Sequence, residues 1–317
     1  MAIFNMMVGL PGSGKSYFTK YLAETEQTEI VSSDEIRKEL FGDENDQEHN
    51  AEVFNEVHNR IYTALRENRN VCYDATNLSR KRRKSFLNTL NSIKNVEIIK
   101  RCYVITTHYD TCREQNQARS RVVPGDVIFR MFQHINLPRI DEGWDRIEFI
   151  GSRNFTSNIN MGYYWSHCLG YDQDNPNHTL YLDAHMEKAA EYIDTVKHAA
   201  NNYEYLREAA LYHDIGKPVC KTYQNFKGTI DDHAHYYNHA EVGAYILSCC
   251  LSTKKPIVQY KECPLFHNPE LEKILLVQWH MEFFNQNTDV LDTVTKLYGT
   301  EFANDLRLLH LADTNAH

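Results

Sequence analysis

No run of apolar residues in this 317-residue chain approaches the roughly 20 needed to span a bilayer, so a transmembrane helix is excluded as an organising element. No C-x-x-C pair occurs among the eight scattered cysteines, which excludes a motif built on that spacing. With no signal-like N-terminus, the reading is a reducing cytoplasm and no membrane association. Positive charge is also short. Lys and Arg number 34 against 43 Asp and Glu, giving a formal charge of -9 and a pI near 6.0. That balance excludes strong general affinity for nucleic acid, while leaving room for an RNA substrate held at one local basic cluster. Internal repeats, low-complexity tracts and heptad arrays are absent as well.

What is present divides at about the middle. The length fits two compact units of about 150 residues each. The first half alternates strands and helices, with strands expected at Ile3 to Val8, Glu29 to Ser32, Asn70 to Tyr73 and Val96 to Ile105. Such alternation implies an α/β domain with a parallel sheet and helices on both faces. Beyond Tyr109 the chain becomes helical and basic through Arg113, Arg119 and Arg121, then breaks at Pro124, a pattern suited to a lid over a nucleotide. Composition shifts at Gly151-Ser152-Arg153-Asn154, which places the linker there and sets the domains at 1–152 and 153–317. Twelve of the sixteen histidines follow it. Apolar residues recur at helical spacing in Met186 to Val196, Tyr205 to Tyr212, Ala240 to Leu251 and Leu271 to Met281, so the second half is expected to be all-α.

Gly9-Leu10-Pro11-Gly12-Ser13-Gly14-Lys15-Ser16 matches G-x-x-x-x-G-K-[ST] in full, after an apolar strand and before a helix. Glycines let backbone N–H groups turn inward around phosphate oxygens, and the helix N-terminus adds a favourable field. Lys15 is expected to neutralise the β and γ phosphates of ATP or another nucleoside triphosphate, and the Ser16 hydroxyl to ligate Mg²⁺. Asp34 follows the second strand, near the carboxyl edge where open parallel sheets bind ligands. In isolation it reads as a helix cap; after a phosphate loop it reads as an acceptor for the proton of an attacking hydroxyl, with Arg37 one turn on to hold a neighbouring phosphate. Asp74 ends the next strand and either orders the Mg²⁺ shell or positions the acceptor; Asn77 suits a turn. The run Arg80-Lys81-Arg82-Arg83-Lys84 is either a solvated helix face or a phosphate-binding patch.

Together with Gln115-Asn116-Gln117-Ala118-Arg119, Val122-Val123-Pro124 and Glu142-Gly143-Trp144-Asp145, these residues resemble the polynucleotide kinases, the P-loop 5′-hydroxyl kinases of nucleic-acid repair, over residues 1 to 150. The resemblance implies Asp34 as general base, Arg37 as a contact to the acceptor end and Arg119 as the lid arginine on the transferring phosphate. Arg121 and Arg130 are alternatives, because the lid spacing differs by about a residue.

The second half carries Asn175-Pro176-Asn177-His178, His185, His213-Asp214-Ile215-Gly216-Lys217, His239, His280 and Asp313. Imidazoles with carboxylates suit borderline divalent metals, Mn, Fe, Co, Ni or Zn, with Mg possible if fewer histidines bind. Two ions roughly 3.5–4 Å apart activate a water and clamp a phosphate for in-line attack. The set resembles the HD-domain phosphohydrolases, in particular HD modules found with kinases in RNA end-healing proteins and, over Asn175 to His185, those of tRNA CCA-adding enzymes. That similarity implies His185, His213, Asp214 and Asp313 as ligands of a first metal, His239 and His280 as ligands of a second with Asp214 bridging, and Lys217 as a phosphate-contacting or structural lysine. His178, His233, His235 and His310 read as structural or as outer residues that support the ligands, and Tyr163-Tyr164-Trp165 as a packing cluster rather than a base-stacking one.

One signature adds a phosphoryl group and the other removes one. The resemblance implies a bifunctional enzyme that phosphorylates 5′-hydroxyl ends and hydrolyses 2′,3′-cyclic phosphate or 2′/3′-phosphate ends of broken RNA, with an RNA ligase as functional partner. A nucleoside or other small-molecule kinase fused to an HD nucleotidase is the enzymatic alternative, and a non-catalytic nucleotide-gated RNA-binding module the non-enzymatic one. The oligomeric state has no signature in the sequence.

Overall fold

The structure is a computed structural model that describes residues 1–317 except 120, 152–159, 177, 254, 264, 266–267, 285–288 and 317. The chain forms two compact units, one of Met1–Phe132, Pro138–Phe155 and Thr253–Cys263, the other of Gln133–Leu137, Thr156–Ser252 and Pro264–His317. The expected boundary between 152 and 153 lies outside the described residues.

The first unit is built on a six-stranded sheet: β1 (Ala2–Val8), β2 (Glu29–Ser32), β3 (Val71–Asp74), β4 (Ile98–Thr106), β5 (Arg146–Gly151) and β8 (Ile257–Tyr260), in the order β2-β3-β1-β4-β5-β8. All neighbours pair in parallel except β8, which runs antiparallel to β5 with Ile147 opposite Gln259. Central β1 reads as a nearly continuous apolar run because both of its faces are covered; Phe4, Met6, Met7 and Val8 are all buried. Helix Asn50–Arg66 repeats Val53, Val57 and Ile61 at four-residue spacing, and this buried stripe packs toward β1, β2 and β3. Full burial of each such side chain stabilises by about 1.5–3 kcal/mol. From β1 the chain moves to β2 and β3 on one side and then to β4 and β5 on the other. That reversal of strand order leaves a crevice beyond the carboxyl ends of β1 and β3, where the phosphate loop and Asp74 lie.

The basic run opens helix Arg80–Leu90 and divides by position. Lys81, Arg82 and Lys84 are exposed, whereas Arg83 is buried, donating to both carboxylate oxygens of Glu142 at 2.8 and 2.7 Å and to the carbonyl of Asn77 at 2.9 Å. Glu142 also accepts from Trp144 Nε1 at 3.2 Å, so this part of the Glu142 to Asp145 segment is a core anchor that holds the loop after Asp74.

The second unit packs helices Leu182–Thr195, Tyr203–Tyr212, His239–Leu251, Pro269–Trp279 and Thr300–Asn315 against one another. His239–Leu251 is buried on every face along most of its length and forms the centre of the unit. The helical unit also carries a two-stranded hairpin, β6 (Thr222–Gln224) and β7 (Ile230–His235), that hydropathy periodicity did not indicate. Among the described residues no disulfide joins any of the eight cysteines, and no helix is long and apolar enough to cross a membrane.

Candidate functional site

Two centres emerge, one in each unit. In the first, the loop after β1 turns through Gly12 at φ +77° and Gly14 at φ +96°, where the left-handed backbone favours glycine. A Cβ on Gly12 would stand 2.2 Å from the Cys112 carbonyl oxygen, so the loop can follow this path only without a side chain there. Helix Lys15–Glu26 starts directly after Gly14 with no side-chain cap, leaving its first N–H groups for an anion. Lys15 Nζ donates to the carbonyls of Gly9 at 3.1 Å and Leu10 at 2.8 Å. Ser16 Oγ donates to Asp74 Oδ2 at 3.2 Å, uniting a hydroxyl from the first turn of that helix with a carboxylate at the end of β3. Burial pushes the Lys15 ammonium below its ordinary pKa against the pull of Asp74, and burial raises Asp74 against the pull of Lys15. The Ser13 hydroxyl is buried with no hydrogen-bond partner among the described residues. An orphan donor, uncapped helical N–H groups and a lysine fit a triphosphate, and Ser16 with Asp74 fits its Mg²⁺.

Asp34 lies in the first turn of helix Ser33–Phe41, and the capping role belongs instead to Ser32, whose side chain accepts from the Glu35 N–H. Asp34 Oδ1 accepts from Arg37 Nη1 at 3.0 Å, Arg37 Nη2 donates to Asn50 at 2.8 Å, and Arg37 Nε is buried without a partner among the described residues. Among the three lid candidates, Arg121 forms an ion pair with Asp34, Arg119 is exposed but close enough to depress Lys15, and Arg130 pairs with Asp126 on an exposed helix face at 3.0 Å.

The second centre is a buried histidine–aspartate cluster. His185 comes from helix Leu182–Thr195, His213 and Asp214 from the end of Tyr203–Tyr212, His239 from the start of His239–Leu251, His280 from the end of Pro269–Trp279 and Asp313 from Thr300–Asn315. Each imidazole donates Nδ1–H to a backbone carbonyl: His185 to Ala316 at 2.8 Å, and His213 to Ala210, His239 to Tyr236 and His280 to Val277, each at 2.7 Å. This fixes the tautomer and turns four Nε2 lone pairs inward. Nε2 of His185 and His213 are 3.2 Å apart, as are those of His239 and His280. Two lone pairs at that separation require a shared cation, either a proton or a metal.

Asp214 connects the pairs. Its Oδ2 lies 3.4 Å from His185 and 3.3 Å from His213, its Oδ1 3.0 Å from His239 and 3.7 Å from His280. Asp313 Oδ1 joins the first pair at 3.2 and 3.4 Å. The six residues thus form two ligand groups sharing one carboxylate. Burial alone would lower the His213 pKa, but Asp214 and Asp313 overcome it and carry the group up to about 10. Burial likewise opposes ionisation of Asp214, yet Lys217 and His213 hold it well below the carboxylate range. Two ionised carboxylates among four imidazoles make a donor set that fits one or two divalent cations, which would take the place of the imidazolium proton.

Gly216 sets the spacing, since a Cβ there would meet the His239 carbonyl oxygen at 2.3 Å and the Gly243 nitrogen at 2.7 Å. Lys217 Nζ donates to Asp214 Oδ2, to Gln173 at 2.7 Å and to His178 Nε2 at 3.3 Å, which uses all three of its protons inside the protein. It orients Asp214. His178 joins the centre through Lys217 as an outer support, and Gln173 does so by a link that only the fold reveals. His310 stacks on Phe283, Trp165 meets Tyr212 edge to face, and His233 and His235 lie on β7 beside Asp231.

Comparison with known proteins matches this division. Residues 5–138 match the AAA domain family and residues 177–315 the HD domain family. The chain is a P-loop, kinase-like AAA domain joined to an HD domain. No curated protein matches it. Similar solved structures include a protein assigned as a kinase from Chloroflexus aurantiacus J-10-fl (17% identity, TM-score 0.33, covering 37% of this chain and 65% of that one). A Pnkp1/Rnl/Hen1 complex matches at 25% identity and TM-score 0.31, covering 39% and 40%, and a gluconokinase from Sinorhizobium meliloti 1021 at 19% and 0.30, covering 44% and 76%. The chain thus spans less than two thirds of the first two of these structures.

Proposed function

We propose that the protein heals broken RNA ends: it transfers the γ-phosphate of ATP or another nucleoside triphosphate to a 5′-hydroxyl and hydrolyses a 2′,3′-cyclic phosphate or a 2′- or 3′-phosphate. The observation that carries this reading is the coexistence of two complete phosphate centres, Lys15-Ser16-Asp74 with Asp34-Arg37 in one unit and the Asp214 cluster in the other. The resemblance of each half to end-healing enzymes supplies the RNA substrate, and the products suit a ligase acting next, in a cytoplasmic setting.

In the kinase centre the N–H groups of Gly14, Lys15 and Ser16 and the Lys15 ammonium bind and orient the triphosphate, and Ser16 with Asp74 would hold Mg²⁺. Asp34 takes the proton of the 5′-hydroxyl as that oxygen attacks, and the buried, unpartnered Nε of Arg37 is available to the acceptor phosphate. Arg119 stabilises charge on the transferring group, with Arg121 and Arg130 as alternatives. In the hydrolytic centre His185, His213, Asp214 and Asp313 hold one metal and Asp214, His239 and His280 a second, drawn from Mn, Ni, Co, Fe or Zn, with Mg possible. A bound divalent ion supplies Lewis-acid charge and a water that is nucleophilic at neutral pH. The protein's part is to fix four imidazole tautomers through backbone carbonyls and to hold Asp214 with Lys217.

Mass spectrometry of an RNA oligonucleotide bearing a 5′-hydroxyl and a 2′,3′-cyclic phosphate, incubated with the protein, ATP, Mg²⁺ and Mn²⁺, tests this. Gain of a 5′-phosphate with opening or loss of the terminal phosphate is the expected result. Unchanged ends with turnover of free nucleosides and nucleotides would replace it with the nucleotide-metabolism reading.

A further inference from the structure

Asp231, His233 and His235 occupy alternate positions of β7, so the two-residue period of the strand sends all three side chains to one face. Each offers a ligand atom within 4.8 Å of the others, and all three are half-buried. The donors are held in place. Asn225 Nδ2 donates to Asp231 Oδ1 at 3.0 Å, and His235 Nε2 lies 2.6 Å from Asp231 Oδ2. His233 Nδ1 lies 3.0 Å from Asp232 Oδ1, and a carboxylate on one ring nitrogen leaves the other as the basic lone pair, the arrangement that outer carboxylates give to metal-binding histidines. The strand itself is fixed on both edges: β6 pairs with one, and on the other Ala234 N–H donates to the Asp174 carbonyl at 2.8 Å while the Ala234 carbonyl accepts from Asn175 at 2.7 Å. None of these side chains belongs to the Asp214 cluster.

We propose that Asp231, His233 and His235 form a separate metal site that takes a borderline first-row divalent ion such as Zn²⁺, Ni²⁺ or Co²⁺. Two imidazoles with one carboxylate favour these ions over Mg²⁺ or Ca²⁺, which prefer all-oxygen shells. Water completes the coordination on the solvent side. The site is structural. β7 runs directly into Tyr236, whose carbonyl receives Nδ1–H of His239 and whose hydroxyl donates to the Gln173 carbonyl at 2.5 Å, so an ion on β7 stiffens the segment that orients a ligand of the hydrolytic centre.

The test is zinc stoichiometry by elemental mass spectrometry on the full chain after equilibrium dialysis against Zn²⁺. Relative to the unsubstituted protein, His233→Ala with His235→Ala should bind one ion fewer per chain, with an unchanged far-ultraviolet circular dichroism spectrum. In an Asp214→Ala background about one ion should remain and vanish on adding the same pair. Asp232→Asn, which alters only the orienting carboxylate, should weaken zinc at this site by roughly 10–100-fold. Equal stoichiometry with and without His233 and His235 would overturn the assignment.

Discussion

Asp214 Oδ1 lies 3.0 Å from Nε2 of His239, while the other oxygen of the same carboxylate faces His185 and His213. One side chain therefore belongs to both ligand groups, and its loss should empty both. Asp214→Ala is expected to abolish phosphate hydrolysis and Mn²⁺ or Zn²⁺ binding at this centre while leaving 5′-phosphorylation intact. His239→Ala or His280→Ala removes a ligand from one group only, so calorimetric titration in a His233→Ala, His235→Ala background should show one ion lost and one retained at this centre. Retention of both ions in Asp214→Ala would rule out the bridging role.

The kinase centre is expected to fail independently. Lys15→Ala and Asp34→Ala should each remove 5′-phosphorylation and spare hydrolysis. Arg119→Ala should lower kcat by about 10²-fold with little change in ATP Kd, as when a cation acts chiefly on transition-state charge. Unchanged kinetics would pass the role to Arg121, which already pairs with Asp34, ahead of Arg130, which is held by Asp126. Single-turnover assays on both substitutions decide between them.

Gly216 carries a prediction about architecture. With the His239 carbonyl 2.3 Å from the position a Cβ would occupy, Gly216→Ala must push helix His239–Leu251 away from His213 and Asp214. Overpacking of this kind costs about 1–3 kcal/mol. A lowered Tm with reduced metal stoichiometry is expected, and a normal Tm with normal stoichiometry would show that the helices can separate without loss.

The phosphate loop, Asp74 and strands β1 to β4 were legible because each is a local signal: glycines at fixed spacing, or an apolar run of strand length. Strands β5 and β8 were not. Arg146–Gly151 abuts the composition shift taken as a linker, and Ile257–Tyr260 is a four-residue edge strand whose partner lies more than a hundred residues earlier. The histidines and aspartates of the second centre were legible through spacing and family resemblance, but their orientation was not, since the carbonyls of Ala210, Tyr236, Val277 and Ala316 that fix the rings carry no side-chain signature. The basic run Arg80 to Lys84 illustrates the same limit. Charge counting cannot separate Arg83, buried on Glu142, from its exposed neighbours, because that distinction depends on a carboxylate 59 residues away.

Glu272 is buried in helix Pro269–Trp279; it accepts from Asn202 Nδ2 at 2.8 Å, and burial, aided by the nearby charge of Asp305, raises its pKa to about 7. A carboxyl that titrates higher in the folded state than in the unfolded one binds its proton more tightly when folded. Its contribution is therefore fully present below the unfolded pKa near 4.5 and is lost as pH rises through about 7. Glu272→Gln keeps an acceptor for Asn202 and removes the titration. The substituted protein should be more stable than the parent at pH 8, by an amount on the order of 1–3 kcal/mol, and should lose the decline between pH 4.5 and 7 that this residue causes. Urea denaturation at pH 5 and pH 8 measures both quantities. If the stability difference between the two proteins is the same at both pH values, Glu272 is ionised throughout and its burial is compensated by groups other than Asn202.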